Sequence, residues 1–355
     1  MLRSNLVDKP SDAPTTHKRR PRYPGKNPRR FDQKYKELNP DRYAAEVEKI
    51  LASGKTPAGS HRPIMVDEVL GCLQPAPGEI AVDCTLGGGG HAEAILPHLL
   101  PGGRLIGLDV DPFELPRTES RLRAAGFGPE VFVTRHTNFA GLGQALASEG
   151  LAHANIVLAD LGVSSMQIDN AARGFSYKEP GPLDMRMNPS RGEPASRLLA
   201  RVGEDELTAI LTENADEPHA GLIASLLKEK LVDTTHAVER TVRMGLNKAL
   251  PSLSKTDVKM SVRRTFQALR IAVNDEFAVL EALLRALPLS VAPGGRVAIL
   301  TFHSGEDRRV KKAFQAGRRA GVYADVADEV IRSSKEETFS NRRASAAKLR
   351  WAVRA

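Results

Sequence analysis

The sequence predicts an α/β fold, a parallel sheet with helices on both faces and an inserted helical domain. Three observations predict it. Short apolar runs alternate with helical patterns, three of those runs end in aspartate, and about 100 residues of mostly helical pattern interrupt the alternation.

The runs are EIAVD (Glu79–Asp83), RLIGLD (Arg104–Asp109), Val131–Thr134, IVLAD (Ile156–Asp160) and GRVAILTF (Gly295–Phe302). Helical patterns between the first four imply right-handed crossovers and parallel pairing. Ligands of such sheets bind beyond the carboxyl ends of the strands. Asp83, Asp109 and Asp160 all fall there, which reads as a site, although each alone suits a loop cap. The interruption contains ASRLLARVGEDELTAILTEN, HAGLIASLLKEKL and THAVERTVRMGLNKAL, and is read as an inserted helical domain over 190–262, with a helix starting near Thr265 after it. The core then comprises 61–189 and 263–355.

Residues 1–60 read differently. HKRRPRYPGKNPRR (His17–Arg30) is basic, broken by proline and almost free of aliphatics. It reads as a disordered arm, a phosphate grip or only a solubilising tail. DRYAAEVEKILA over 41–52 suits one short helix.

The 355 residues, 26% charged and 41% hydrophobic, suit a mostly globular chain with a sizeable core. A net charge of +8 favours an anionic partner, nucleic acid first, over a merely solvated basic surface. Two cysteines, Cys72 and Cys84, exclude a disulfide framework and a four-cysteine zinc site, and no cluster has metal-ligand spacing. No signal peptide and no membrane-spanning run is read, so the cytoplasm is the expected location.

DCTLGGGGHAEAIL (Asp83–Leu96) places four glycines between a strand and a helix. Such a turn lets a ligand approach the backbone and exposes the first N–H groups of the helix. Gly87, Gly89 and Ala92 match the dinucleotide pattern G-x-G-x-x-G/A, with Asp109 about 20 residues on, so a nicotinamide-dependent dehydrogenase is one reading. Asp83 and Thr85 favour S-adenosylmethionine instead. That molecule has no pyrophosphate, carries an ammonium for an acid and a carboxylate for backbone N–H groups, and has a ribose that suits Asp109 equally well.

Five further motifs follow in order: VLADLGVSSMQID (Val157–Asp169), ARGFSYKEPGPLDMRMNP (Ala172–Pro189), RRTFQALRIAVNDE (Arg263–Glu276), APGGRVAILTFHSGEDR (Ala292–Arg308) and SAAKLRWAVRA (Ser345–Ala355). Together with the glycine loop, over about residues 61–355 apart from the middle of the insertion, they closely resemble the RsmH (MraW) family of 16S rRNA cytosine-N(4) methyltransferases. The resemblance implies a class I (Rossmann-like) methyltransferase core, S-adenosyl-L-methionine as donor, and 16S rRNA or the assembled small subunit as partner, with a cytidine of the decoding centre as target. It leaves monomer and homodimer open. It implies donor contacts from Gly89, Gly90, His91, Asp109, Phe139, Asp160 and Gln167, with Phe139 near the adenine, and it matches Phe302, His303 and Ser304 to a conserved run. It departs from the family pattern at Gly305, where leucine is usual, at Asn188, where aspartate is usual, and in EPHAGLIASLL from Glu217, where an arginine-rich helix is usual. The N-terminal arm is extra.

The exocyclic amine of cytosine is a poor nucleophile because its lone pair is delocalised into the ring. It needs a hydrogen-bond acceptor and a fixed approach. Asp160 is the expected acceptor, or else a donor-site residue only. His303 is the second candidate, or else a packed strand-end histidine. Phe175 and Tyr177 are read as stacking on the target base or as loop core. Arg186 and Arg270, with Arg173, Lys178, Arg263, Arg264, Arg308 and Arg309, are read as contacting phosphates or as paired with neighbouring acids. A non-catalytic ribosome-assembly factor on a decayed methylase core is a third reading, which the intact glycine loop and Asp109 oppose.

Overall fold

The computed structural model of the chain describes residues 63–355, without the side chains of Ser340 and Arg342. The basic arm expected over 1–60 and the helix over 41–52 lie outside the described residues. The elements in chain order are α1 Val66–Leu73, β1 Ile80–Asp83, α2 Gly90–Leu99, β2 Arg104–Asp109, α3 Glu114–Ala124, β3 Phe132–His136, α4 Leu142–Ser148, β4 Ala154–Asp160 and α5 Ser165–Asp169. Then come α6 Ala195–Arg201, α7 Glu204–Ala215, α8 Ala220–Lys228, α9 Thr235–Ala249, α10 Lys255–Asn274, α11 Glu276–Ser290, β5 Val291–Thr301, α12 Ser304–Arg319, β6 Tyr323–Val326, α13 Lys335–Ser340 and β7 Lys348–Arg354.

The seven strands form one sheet in the order β3-β2-β1-β4-β5-β7-β6. The first five are parallel, and β7 runs antiparallel to both β5 and β6. The alternation of strand side chains sends Val82, Ile106, Val157 and Val297 to one face, where α4, α11 and α12 cover them. Ala81, Leu105, Ile156 and Ala298 point to the other face, under α1, α2 and α3. Burial on both faces explains why the parallel strands are continuous apolar runs rather than alternating ones.

The two antiparallel strands were not expected from the sequence. β7 lies within SAAKLRWAVRA, where Leu349 and Ala352 are buried on opposite faces of the sheet and the buried Arg350 between them interrupts the apolar run. Helix α10 also begins ten residues before the expected start near Thr265. Ser254 caps it, its Oγ accepting the Asp257 N–H at 3.1 Å. The expected limit at 262 therefore falls inside a continuous helix. Val258, Val262, Phe266 and Leu269 of α10 join Leu198, Leu211, Ile223, Val238 and Leu183 in a hydrophobic cluster of their own.

At the start of α12, Gly305 occupies the position where leucine is usual. A Cβ there would fall 2.6 Å from Cζ of Phe277 on α11. The Phe277 ring fills the space of the missing side chain, and the Arg309 guanidinium covers it at 3.6 Å. We expect Gly305→Leu to lower unfolding free energy by about 1–3 kcal/mol through overpacking. Most of that loss should return when Phe277→Leu is added, as urea unfolding of the four proteins in a double-mutant cycle would show. Additive losses would contradict this account of the site.

Candidate active site

Strand β1 lies between β2 and β4, and Asp83 is level with Gly107 and Leu158. Asp109 and Asp160 therefore stand two residues further out on either side, and the glycine loop rises between them. The loop is stitched to both neighbours. Cys84 N–H donates to Leu158 O and Leu86 N–H to Leu108 O, both at 2.8 Å. Asp160 N–H donates to Thr85 Oγ1 at 2.6 Å, and Gly87 N–H donates to Asp109 Oδ2 at 2.7 Å.

Gly87 and Gly89 turn through the left-handed region, with φ of 47° and 73°. At Gly89 there is a second constraint, since a Cβ would fall 2.6 Å from Thr118 Cγ2 of α3. The bare backbone there admits a neighbouring helix, where the sequence suggested approach of a ligand. Gly90 opens α2. His91 is buried behind it, Nε2 lying 2.9 Å from Ile64 O.

Each of the three strand-end acids sits in a setting that disfavours its charge. Burial raises the Asp109 pKa although its oxygens accept the N–H groups of Gly87 and, at 2.8 Å, Asp111. Each of those oxygens keeps a further lone pair for a ligand. Asp83 is 2% exposed and is pushed up to about 6, mainly by burial. Asp160 is pushed up to about 7, first by burial and then by the charge of Glu306. Its side chain keeps 27% of its exposure, yet Oδ1 is enclosed and has no hydrogen-bond partner among the described residues. Oδ2 lies 3.7 Å from His91 Nδ1. Burial holds the His91 pKa below its ordinary value. With the Nε2 proton on Ile64 O, the Nδ1 of a neutral His91 presents a lone pair to Asp160 and offers it no positive charge.

His303, between β5 and α12, is another enclosed group with unmet hydrogen bonds. Neither ring nitrogen is hydrogen-bonded among the described residues. Nε2 lies 3.1 Å from Glu306 Oε1, near enough for an ion pair but off the line a ring N–H would need. Burial works upward on Glu306, but the adjacent His303 ring, the charge of Arg270 and the Phe302 N–H (2.8 Å) hold its pKa below the usual carboxylate value. An ionised Glu306 beside Asp160 follows from this, and the sequence reading gave it no role.

A second residue without an expected role is Asp111, 1% exposed. Its Oδ2 accepts from Gln167 Nε2 at 2.8 Å and from Arg173 Nη1 at 2.7 Å. Arg173 Nη2 donates onward to Arg186 O (3.1 Å) and Met187 O (2.8 Å). Gln167 also caps α5, its Oε1 accepting Ser164 N–H at 2.9 Å, so both ends of its amide are engaged within the protein. An acid two residues past a strand end, in LDVDP, was the available signal for Asp111.

The remaining expected residues are placed as follows. Phe139 begins a short 3₁₀ turn after β3 and packs half-buried on the sheet core. Phe175 and Tyr177 pack on the helical cluster, Tyr177 edge-on to Phe266 at 5.1 Å and Phe175 beneath Arg173 at 5.8 Å. Arg186 is forked onto Asp184 at 2.8 and 2.7 Å. Arg270 is forked onto Glu276 at 2.8 and 2.9 Å. Both guanidinium groups expected to meet phosphates are therefore engaged with neighbouring acids. Among the described residues no cluster of histidine, cysteine and acids could hold a metal ion.

A profile of the MraW methylase family matches residues 58–355. The chain belongs to the MraW methylase family. It is 48% identical to ribosomal RNA small subunit methyltransferase H 2 of Alkaliphilus metalliredigens over 95% of this chain and 97% of that protein. It is 46% identical to ribosomal RNA small subunit methyltransferase H 1 of Lachnoclostridium phytofermentans over 96% and 93%. These matches take in most of the residues before 58, so the N-terminal extension has a counterpart in such MraW relatives. The methyltransferase H of Anaeromyxobacter sp. (strain K), 42% identical, matches only 82% of this chain. The dehydrogenase reading falls with this assignment. The chain is a methyltransferase with a class I core, and its donor is S-adenosylmethionine. The site fits that donor. Its strand-end acids have raised pKa values and lack a lysine or arginine partner among the described residues, and Asp160 carries a free enclosed oxygen.

The raised pKa of Asp160 carries a stability cost. A carboxylate whose folded pKa lies above its unfolded value of roughly 3.9 binds more protons in the folded state, so stability falls as pH rises from about 4 through about 7. Asp160→Asn removes the charge at every pH. It should raise the melting temperature more at pH 8 than at pH 5, measured without donor. Equal shifts at the two pH values would contradict the placement of Asp160.

Proposed function

We propose that this MraW-family enzyme methylates the exocyclic N4 amine of a cytidine in the decoding centre of 16S rRNA, as free RNA or within the assembled small subunit. The observation that carries the reading is Asp160, an enclosed carboxylate with an unmatched oxygen and a pKa near 7, set beside the glycine loop. The substrate class follows from the relatives, which are named as methyltransferases of small-subunit ribosomal RNA.

S-adenosylmethionine, when bound, supplies an electrophilic methyl group on sulfur. The rest is the work of this chain. The N–H of Gly90 at the start of α2 suits a carboxylate, that of Gly89 being given to Leu86 O at 2.6 Å. Asp109 suits a pair of ribose hydroxyls through the lone pairs its backbone partners leave free. His91 backs the glycine turn, and Phe139 offers an apolar edge to the adenine. Gln167 acts through Asp111, holding the β2–α3 turn in place. Asp160 accepts a hydrogen bond from the target amine, which localises the nitrogen lone pair, and takes up the proton released as the N–C bond forms. A carboxylate with a pKa near the working pH suits that task. His303 offers its two unmet ring nitrogens to the cytosine ring, beside the charge of Glu306. No helix among the described residues is long and apolar enough to cross a membrane, and a cytoplasmic place of action belongs to this proposal.

The test separates chemistry from donor binding. Asp160→Asn keeps the shape and removes the proton acceptor. We expect its single-turnover rate on unmethylated small subunits, at saturating donor, to fall about a hundredfold to ten-thousandfold at near-normal donor affinity. Weakened donor affinity with an unchanged saturated rate would move the acceptor role to His303. A wild-type protein that binds subunits but transfers no methyl group would instead leave an assembly factor.

A further inference from the structure

A pocket lies away from the glycine loop, between α9 and α10. Glu239, Arg243 and Asn247 approach it from α9 at spacings of four, and Lys255, Val258, Lys259 and Val262 from α10, with Tyr177 also in its lining and a volume of about 430 Å³. That is within the roughly 300–1,000 Å³ of sites that enclose small ligands or parts of larger ones. Val258 and Val262 are buried, while the lysines stand out on the rim. Tyr177 is held edge-on against Phe266, which fixes the plane of its ring.

Its charge is unbalanced. Glu239 is committed to Arg243 at 2.6 Å. Neither Lys255 nor Lys259 has an ion-pair partner among the described residues. The nearby acid of the same helix, Asp257, accepts from Ser254 Oγ at 2.7 Å at the helix cap. Arg263, exposed and one further turn along, continues the row. Cations spaced four residues apart beside a tyrosine and two valines suit an anionic backbone carrying flat bases, whereas an acidic protein segment would make little use of the aromatic face.

On the reading given under Proposed function, we propose that this groove binds single-stranded ribosomal RNA outside the target nucleotide. One base lies against Tyr177, Val258 and Val262, and the flanking phosphates meet Lys255 and Lys259. The contact is a recognition site distinct from the pocket of the methylated base.

The variant Lys255→Glu/Lys259→Glu tests it, since both side chains are exposed and their loss removes no internal contact. With unmethylated, deproteinised 16S rRNA as probe, we expect at least tenfold weaker binding near 0.1 M salt and a slope of log affinity against log salt flatter by about 1.4, two phosphate contacts at roughly 0.7 each. Donor affinity and the single-turnover rate at saturating RNA should stay as in wild type. Tyr177→Phe should bind normally, and Tyr177→Ala should lose roughly tenfold, the size of one stacked base. Unchanged affinity and slope in the lysine variant, while wild type methylates its substrate, would overturn the groove and leave the function standing. A loss seen with assembled subunits but not with deproteinised RNA would also overturn it, by pointing to a ribosomal protein. Failure of wild type to methylate would count against the function itself, and the binding measurements would still decide the groove.

Discussion

Strand register places Asp83, Asp109 and Asp160 around one loop, and among the described residues no lysine or arginine pairs with any of them. Most of the site depends on this concentration of unpaired acid. Burial and mutual repulsion lift the Asp83 pKa to about 6, and burial with the charge of Glu306 lifts that of Asp160 to about 7. Such an edge is under electrostatic tension while it is alone, and it is relieved by a positive charge placed among the acids. A sulfonium donor that also carries an ammonium meets that need, whereas a dinucleotide would bring further negative charge.

Two residues past the end of β2, Asp111 holds an arginine. Arg173 is committed to Asp111, and both are largely buried, at 11% and 1% side-chain exposure. Breaking such a pair from one side leaves a buried charge without a partner, which is why its geometry is kept. The pair also ties the β2–α3 turn to the segment at Arg186 and Met187, and Asn274 of α10 holds the same segment through Met187 N–H at 2.7 Å and Met185 O at 2.8 Å. The donor side and the helical cluster are thus joined by hydrogen bonds to backbone atoms.

The sequence revealed the parallel strands because each is buried on both faces and reads as an apolar run. It hid β6 and β7 because an antiparallel pair at a sheet edge mixes Leu349 and Ala352 with charged residues. It revealed Asp83, Asp109 and Asp160 because strand ends are recognisable, and the family resemblance added Gln167 and His303. It could not reveal Asp111 or Glu306 as parts of the site, since a second acid near a strand end or in a helix's first turn looks like an ordinary cap. Nor could it show that Arg186 and Arg270 were spoken for. Asp184 is two residues away from Arg186 and Glu276 is six from Arg270, and only the folded backbone turns each pair face to face.

Helix α10 connects these features. Its last turns carry Arg270 and Asn274, which brace Glu276 and the Met185–Met187 segment beside the active site. Its first turns carry Lys255 and Lys259 at the groove. At 1.5 Å per residue, the thirteen or so residues between these groups set them about 20 Å apart along a single rigid axis. A helix of that length bends little, so on the proposed reading an RNA held at the groove is measured against Asp160 by a fixed ruler. Selection of the target then depends on how far the bound strand reaches from the groove as well as on the shape of the pocket that receives the base. A short oligonucleotide that contains the target but cannot span that distance would be recognised only through the pocket.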